Sequence, residues 1–214
     1  METLIGDVPE DWSAVHLGDV CEILAGPSGG VLHGETHTAS GVPVVGPRDL
    51  KGNRIVLDGS LSVAPDTAEK LRRYRLAAGD IVCARTGEIG RHALVRGAQA
   101  GYLFGTACLR LRAREPVSHG YLAYYLDHPG VRAWIDRNAT GSAIPSLSAA
   151  TLGVLPLVLP PAGIQAAVGG ILGALDEQIA VHDQISRTAA RLRDALLPLL
   201  VAGSGLPQDH DQLV

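Results

Sequence analysis

Aromatic residues are scarce in this 214-residue sequence, which has one Phe and two Trp. Its core must therefore be aliphatic, and stacking of bases on aromatic rings is not an obvious route to a nucleic acid. Cysteine is rarer still. Cys21, Cys83 and Cys108 are far apart and odd in number, with no Cys-x-x-Cys pair and no Cys/His ligand spacing. That argues against a disulfide framework and a zinc site, and it fits a reducing, cytoplasmic setting. The opening residues, METLIGDVPEDW, have neither the basic region nor the apolar run of a signal peptide. No uninterrupted stretch of about 18 apolar residues occurs, so no membrane span is expected. Lysine is confined to Lys51 and Lys70, and the other basic residues are all Arg.

What is present supports a folded core: 46% of the chain is hydrophobic and 19% charged, outside the range of wholesale disorder. The length fits one ordinary domain with an appendage, or two small domains. The net charge of −4 conceals a segregation. Residues 1–40 hold seven acids and no Lys or Arg, residues 41–137 hold fifteen basic residues against nine acids, and residues 138–214 hold three against six. A GC-rich genome explains an Arg bias as well as function does, but not its concentration in the middle. Arg offers a planar fork suited to phosphates and to guanine edges.

An amphipathic stretch over 15–24 leads into a loop rich in Gly and Pro (Gly26, Pro27, Gly29, Gly30). Short β-type runs follow at 42–45, 54–57, 81–84, 93–95, 108–111 and 155–159, punctuated by Gly, Pro, Asn and Asp. Residues 117–137 read as helix, broken or kinked at Pro129-Gly130. Beyond Pro161 the pattern becomes a heptad seam through Val168, Ile171, Leu175, Gln178, His182, Ile185, Ala189, Leu192, Leu196 and Leu199. That is about five heptads, on the order of 50 Å of helix. Gln178 and His182 on the seam would set register and partner at some cost in stability. Pro198 should distort the helix end. Gly169, Gly170 and Gly173 weaken its first turns by roughly 1 kcal/mol each relative to Ala, so that start needs tertiary support or the close approach of another backbone. The fold class expected is α+β: a mixed-sheet domain with flanking helices over 1–160, one long coiled-coil helix over 161–202, and a tail over 203–214.

The motifs that could carry chemistry are weak. The loop 26–30 lacks the Gly-Lys-Ser/Thr ending of a phosphate loop. His33 and His37 have helical ligand spacing in a segment unsuited to helix, with no third ligand. No Ser, Cys or carboxylate sits in a nucleophile or nuclease motif, so neither catalytic residues, a metal nor a cofactor is expected. Gly79-Asp80-Ile81-Val82 opens a strand that delivers Arg85-Thr86-Gly87 to a turn closed by Gly90, a placement suited to a DNA backbone or base edge and equally to an ordinary hairpin.

Several segments together resemble a family. Pro9-x-x-Trp12 with Leu17-Gly18-Asp19-Val20, then 41–45 with Arg48-Asp49-Leu50 and Gly52, then Gly79-Asp80-Ile81-Val82 with Gly87 and Gly90, occur in the order found in target recognition domains of type I restriction–modification specificity subunits. The run 140–148, followed by Leu155-Pro156-Leu157-Val158-Leu159-Pro160-Pro161 and Gln165, is similar to that family's passage into its conserved helix. Ile164 stands where family members usually have Glu. The likeness spans roughly residues 8–200, and this chain shows one recognition domain and one helix where full-length members have two of each.

The resemblance implies a non-catalytic, half-sized specificity subunit. It would read one half-site of double-stranded DNA and homodimerise through the helix about a two-fold axis to read a split inverted repeat. It would also serve as a platform for DNA adenine methyltransferase subunits, with a restriction subunit as a further candidate. DNA contacts are expected from Arg48, Lys51, Asn53 and Arg54, from Arg72 and Arg73, from Arg85, Thr86 and Arg91, and from Thr140, Gly141, Ser142 and Ser146. The dimer interface is expected along Val168, Ile171, Leu175, Gln178, His182, Ile185, Ala189, Leu192 and Leu196. Three alternatives stay open: a scaffold protein whose helix is the working part, an enzyme, and a fragment of a two-domain subunit.

Overall fold

Ile81-Val82-Cys83-Ala84 is apolar at every position, the pattern of a strand covered on both faces. The computed structural model describes residues 1–28, 41–57, 59, 61–141 and 145–202, and all four of these residues are buried in it. In chain order the elements begin with the hairpin β1 (Glu2–Thr3) and β2 (Gly6–Asp7), then β3 (Ser13–His16), α1 (Leu17–Val20) and β4 (Cys21–Ala25). Next come β5 (Val42–Val45), β6 (Leu50–Lys51), β7 (Arg54–Ile55), β8 (Ser62–Val63), α2 (Pro65–Lys70), β9 (Ile81–Ala84) and β10 (His92–Leu94). The rest are β11 (Leu103–Phe104), β12 (Cys108–Ala113), α3 (His119–Asp127), α4 (Pro129–Asn138), α5 (Ala149–Gly153), β13 (Pro156–Leu159) and α6 (Ala162–Val201).

The centre is an antiparallel sheet in the order β10-β9-β12-β4, with Leu109 opposite Cys83 and Arg110 opposite Val82. Successive residues face opposite ways. Ile81, Cys83, Leu109 and Leu111 therefore join the larger core with Leu122, Leu126 and Ile135 of α3 and α4. Val82, Ala84 and Cys108 join a second core with Val45, Leu50 and Phe104. That second layer includes the sheet β11-β5-β8, in which β11 runs parallel to β5 and β8 antiparallel to it. The architecture is α+β, with mixed sheets and a long C-terminal helix.

The amphipathic stretch 15–24 is not one element. The Asp19 carboxylate accepts from the His16 amide and closes a single helical turn, after which the chain extends as β4 along β12. The break at Pro129 is real: α3 ends at Asp127, His128 accepts from the Gly130 amide, and Pro129 opens α4, where its missing N–H costs nothing. Pro198 lies inside α6, which continues past it to Val201.

Asp80, 1% exposed, ties the sheet together. Both its oxygens accept from Arg112 of β12 at 2.7 Å, one also accepts from the Ala77 amide at 2.7 Å, and its backbone carbonyl accepts from Val95. The hydrogen bond to Asp80 is the main reason the Arg112 guanidinium is pushed further above its ordinary range.

Contacts divide the chain into a compact unit from Met1 to Leu172 and a second unit starting at Gly173, whose described part is the remainder of α6. The sequence places the domain boundary at Pro160-Pro161, but the first turns of α6 pack on the domain. Buried Gln165 donates to the Pro160 carbonyl and accepts from the Ser118 amide, both at 2.9 Å. Gly169 lies against Gly120 so closely that a Cβ on Gly169 would sit 3.2 Å from the Gly120 carbonyl carbon and the Tyr121 nitrogen. This is the close backbone approach that the glycine-rich helix start requires.

Cys21, Cys83 and Cys108 are free and buried. Burial pushes Cys21 and Cys108 up to about 12 and Cys83 higher still. We expect no reaction with Ellman's reagent at pH 8 in the native state and three reactive thiols in denaturant; one thiol reacting rapidly without denaturant would contradict this packing. Asp80→Ala should lower unfolding free energy by about 1–3 kcal/mol, because it leaves the Ala77 amide and the half-exposed Arg112 guanidinium without their acceptor. Urea denaturation reads this directly, and a loss below about 1 kcal/mol, typical of a surface pair, would refute that role.

Candidate nucleic-acid interface

Two of the four predicted DNA-contacting groups meet at the end of β9. The Arg85 amide donates to Ala107 and its carbonyl accepts from Leu147, while Thr86 bridges Ser146 and Ser146 bridges Thr140. Arg85 and Thr86 thus form one edge with Thr140, Ser146 and Leu147, which are distant in sequence. Gly141 is exposed beside it, and Ser142 lies outside the described residues. Arg85 is half-buried, and its side chain forms no hydrogen bond or ion pair among the described residues; its Nε is shut off from water without a partner.

The first predicted group forms a hairpin of β6 and β7. Gly52 and Asn53 both have positive φ, 52° and 55°, the conformation of a tight two-residue hairpin turn. Asn53 departs from expectation as a DNA-facing residue. It is 6% exposed, and its side-chain oxygen accepts from the Leu94 amide, docking the hairpin on β10. Lys51 and Arg48 are exposed and Arg54 is half-buried. The hairpin meets Arg91 of the third group at a pocket of about 230 Å3, also lined by His92, Asp127 and Arg132. Arg91 is paired with Glu88.

Arg72 and Arg73 are exposed on a short helical turn, Arg72–Tyr74, with the Arg73 guanidinium 5.2 Å from the centre of the Tyr74 ring. That turn is held by Arg110, which is buried in the sheet, donates to the carbonyls of Arg73 and Arg75, and pairs with Glu22.

Sequence reasoning missed Arg132, His92 and Asp127. The ring nitrogens of buried His92 lie 3.1 Å from the Gly90 carbonyl and 2.8 Å from that of Ala123, and Arg132 also donates to Gly90. Nothing local marks Arg132, because its partner turn lies 42 residues away.

Gly29, Gly30, His33 and His37 lie outside the described residues. Gly26 is needed for packing, since a Cβ there would sit 2.0 Å from the Gly105 carbonyl oxygen. Among the described residues, no cluster of His, Cys, Asp or Glu could hold a metal ion, and no helix is long and apolar enough to cross a membrane.

On α6, Val168 departs from the expected interface by packing against the core of its own domain. The other predicted positions are exposed, with Ile171, Leu175, Ile185, Leu192 and Leu196 between 39 and 65% accessible, and Gln178, His182 and Ala189 open as well. Ile179 and Val181, outside the predicted seam, widen the stripe.

Residues 9–189 match the model of the type I restriction modification DNA specificity domain. A putative type I restriction enzyme MjaX specificity subunit of Methanocaldococcus jannaschii is 26% identical over 185 residues, covering 83% of this chain and 42% of that protein. Two solved structures share the fold. The HsdS subunit of Thermoanaerobacter tengcongensis has a TM-score of 0.58 at 20% identity, covering 93% of this chain and 47% of its own. The S subunit of M. genitalium has a TM-score of 0.61 at 16% identity, covering 94% and 49%. The chain therefore spans about half the length of the relatives it matches. With the specificity-domain model covering most of its length, the chain belongs to the type I restriction–modification DNA specificity family.

Proposed function

We propose that this chain reads one half-site of a split double-stranded DNA target, and that α6 pairs two copies so that the target is an inverted repeat. The chain performs no chemistry itself. It works in the cytoplasm as the DNA-reading part of a complex whose adenine methyltransferase subunits, and a restriction subunit where one joins, do the reactions. The observation that carries this reading is the exposed apolar stripe along α6 of a specificity-family chain. Covering such a stripe with a like helix is the ordinary route to a two-stranded coil and a closed two-fold dimer. A fixed helix length would then set the gap between half-sites.

On the DNA side, the arginines Arg48, Arg72 and Arg85 make no side-chain hydrogen bond or ion pair among the described residues. Arg85 is the strongest candidate for a base contact, because hydrogen bonds to Ala107 and from Leu147 hold its backbone beside the edge of Thr86, Thr140 and Ser146. The exposed Lys51, Arg73 and Gly141, and the half-buried Arg54 and Arg91, complete the candidate set.

Selection from random duplexes should yield an inverted repeat, and binding should weaken steeply with salt. Arg85→Ala should lower affinity for the selected site by about 1–3 kcal/mol; unchanged titration curves remove it from the interface. In sedimentation, the chain should run as a dimer, and Ile185→Asp with Leu192→Asp should make it a folded monomer. A wild-type monomer at all concentrations, or an asymmetric selected site, contradicts the symmetric dimer. Absence of DNA binding leaves the scaffold reading instead.

A further inference from the structure

The pocket of about 230 Å3 between the β6–β7 hairpin and the junction of α3 with α4 draws cationic side chains from three separate segments: Lys51 of β6, Arg91 of the turn before β10 and Arg132 of α4. The His92 ring nitrogens lie within hydrogen-bond distance of the Gly90 and Ala123 carbonyls, and Asp127 is the one carboxylate among the described lining residues. Through Nη1, Arg132 donates to the Gly90 carbonyl, while its Nε and Nη2 have no partner among the described residues. Its side chain is 39% exposed. One end of the guanidinium is therefore anchored and the Nε/Nη2 edge, the pair of donors that grips a phosphate or carboxylate, is unspent.

We infer that this pocket seats a backbone phosphate of the bound DNA, with Arg132 as the anchored donor and Arg91 and Lys51 closing around it. The inference rests on the DNA-reading proposal above. A concave site suits a phosphate, which projects from the duplex, better than a base edge, which is recessed in a groove and is reached by protruding side chains. Asp127 lies 3.8 Å from Arg132 and 3.6 Å from His92, beyond hydrogen-bond distance of both, and it is 46% exposed. Such pairs are weak, so the Arg132–Asp127 contact yields to a phosphate while the carboxylate opposes the incoming charge. The Arg91–Glu88 pair, exposed at its acid, yields in the same way. Arg132 and Asp127 should therefore act on DNA binding with opposite signs.

The test titrates the full chain and its variants with the selected duplex and with a short random-sequence duplex across a range of salt. Arg132→Gln should lower the slope of log affinity against log salt by about one unit, and weaken both duplexes by about the same factor. Arg132→Lys should restore most of that slope, and Asp127→Asn should tighten both duplexes. An unchanged slope, a loss confined to the selected duplex, or weakening by Asp127→Asn in step with Arg132→Gln overturns the phosphate site; the last result would make the pair a structural clasp. Should Arg132→Gln lose its circular dichroism signature, Lys51→Gln on the exposed hairpin is read by the same criteria. A wild-type chain that binds neither duplex overturns the DNA-reading proposal itself. Normal wild-type binding with an unchanged variant slope overturns this inference alone.

Discussion

A single buried carboxylate sets the geometry on which the rest of the domain depends. Asp80 sits at the start of β9, removed from water, a position that would be strongly unfavourable for an unpaired charge. It is tolerable because Arg112, 32 residues along the chain on β12, turns two donors onto it, and because the Ala77 amide takes part as well. Backbone bonds from the same corner reach Val95, just beyond β10. One residue thereby registers three neighbouring strands. The opposite end of β9 inherits that registration, and it is there that Arg85 and Thr86 meet Ser146 and Leu147.

The arginine-rich middle of the chain divides by physical role. Arg110 and Arg112 are spent within the protein, each on a carboxylate, with Arg110 also holding the Arg72–Tyr74 turn by its carbonyls. Arg132 divides its own guanidinium between the Gly90 carbonyl and an open edge. Arg48, Arg72 and Arg85 are left without internal partners among the described residues. A count of basic residues thus overstates the charge available to a ligand, and the pairing decides which of them face outward.

Much of the fold was legible wherever a local rule governs. The run at 81–84 became a strand because it is apolar and buried at every position, and those at 42–45 and 108–111 became strands as well, the latter with Arg110 buried and paired with Glu22. Pro129 announced a helix boundary for want of an N–H, and Gly169 announced a close backbone contact because a Cβ there would crowd the backbone at Gly120. Of the candidate site, the turn 85–91 and its neighbour 140–146 were legible as separate pieces, but not their union, which is a hydrogen-bonding relation across more than fifty residues. Asn53 looked like a polar loop residue and proved to be the buried peg of a hairpin; Val168 shared the heptad spacing of the seam and yet faces its own core. Periodicity assigns residues to a face, and only the tertiary contacts say what that face meets.

The joint at the beginning of α6 bears on how such domains can be exchanged between proteins. The double proline at 160–161 looks like the natural place for a crossover, but a cut there would separate Gln165 from the Ser118 amide and would place Gly169 opposite whatever residue a foreign helix carries at the position of Gly120. A Cβ there would already lie 3.4 Å from the Gly169 Cα, so larger side chains would press the two backbones apart. A viable chimera has to keep these two glycines as a matched couple, which moves the usable splice point downstream of Leu172.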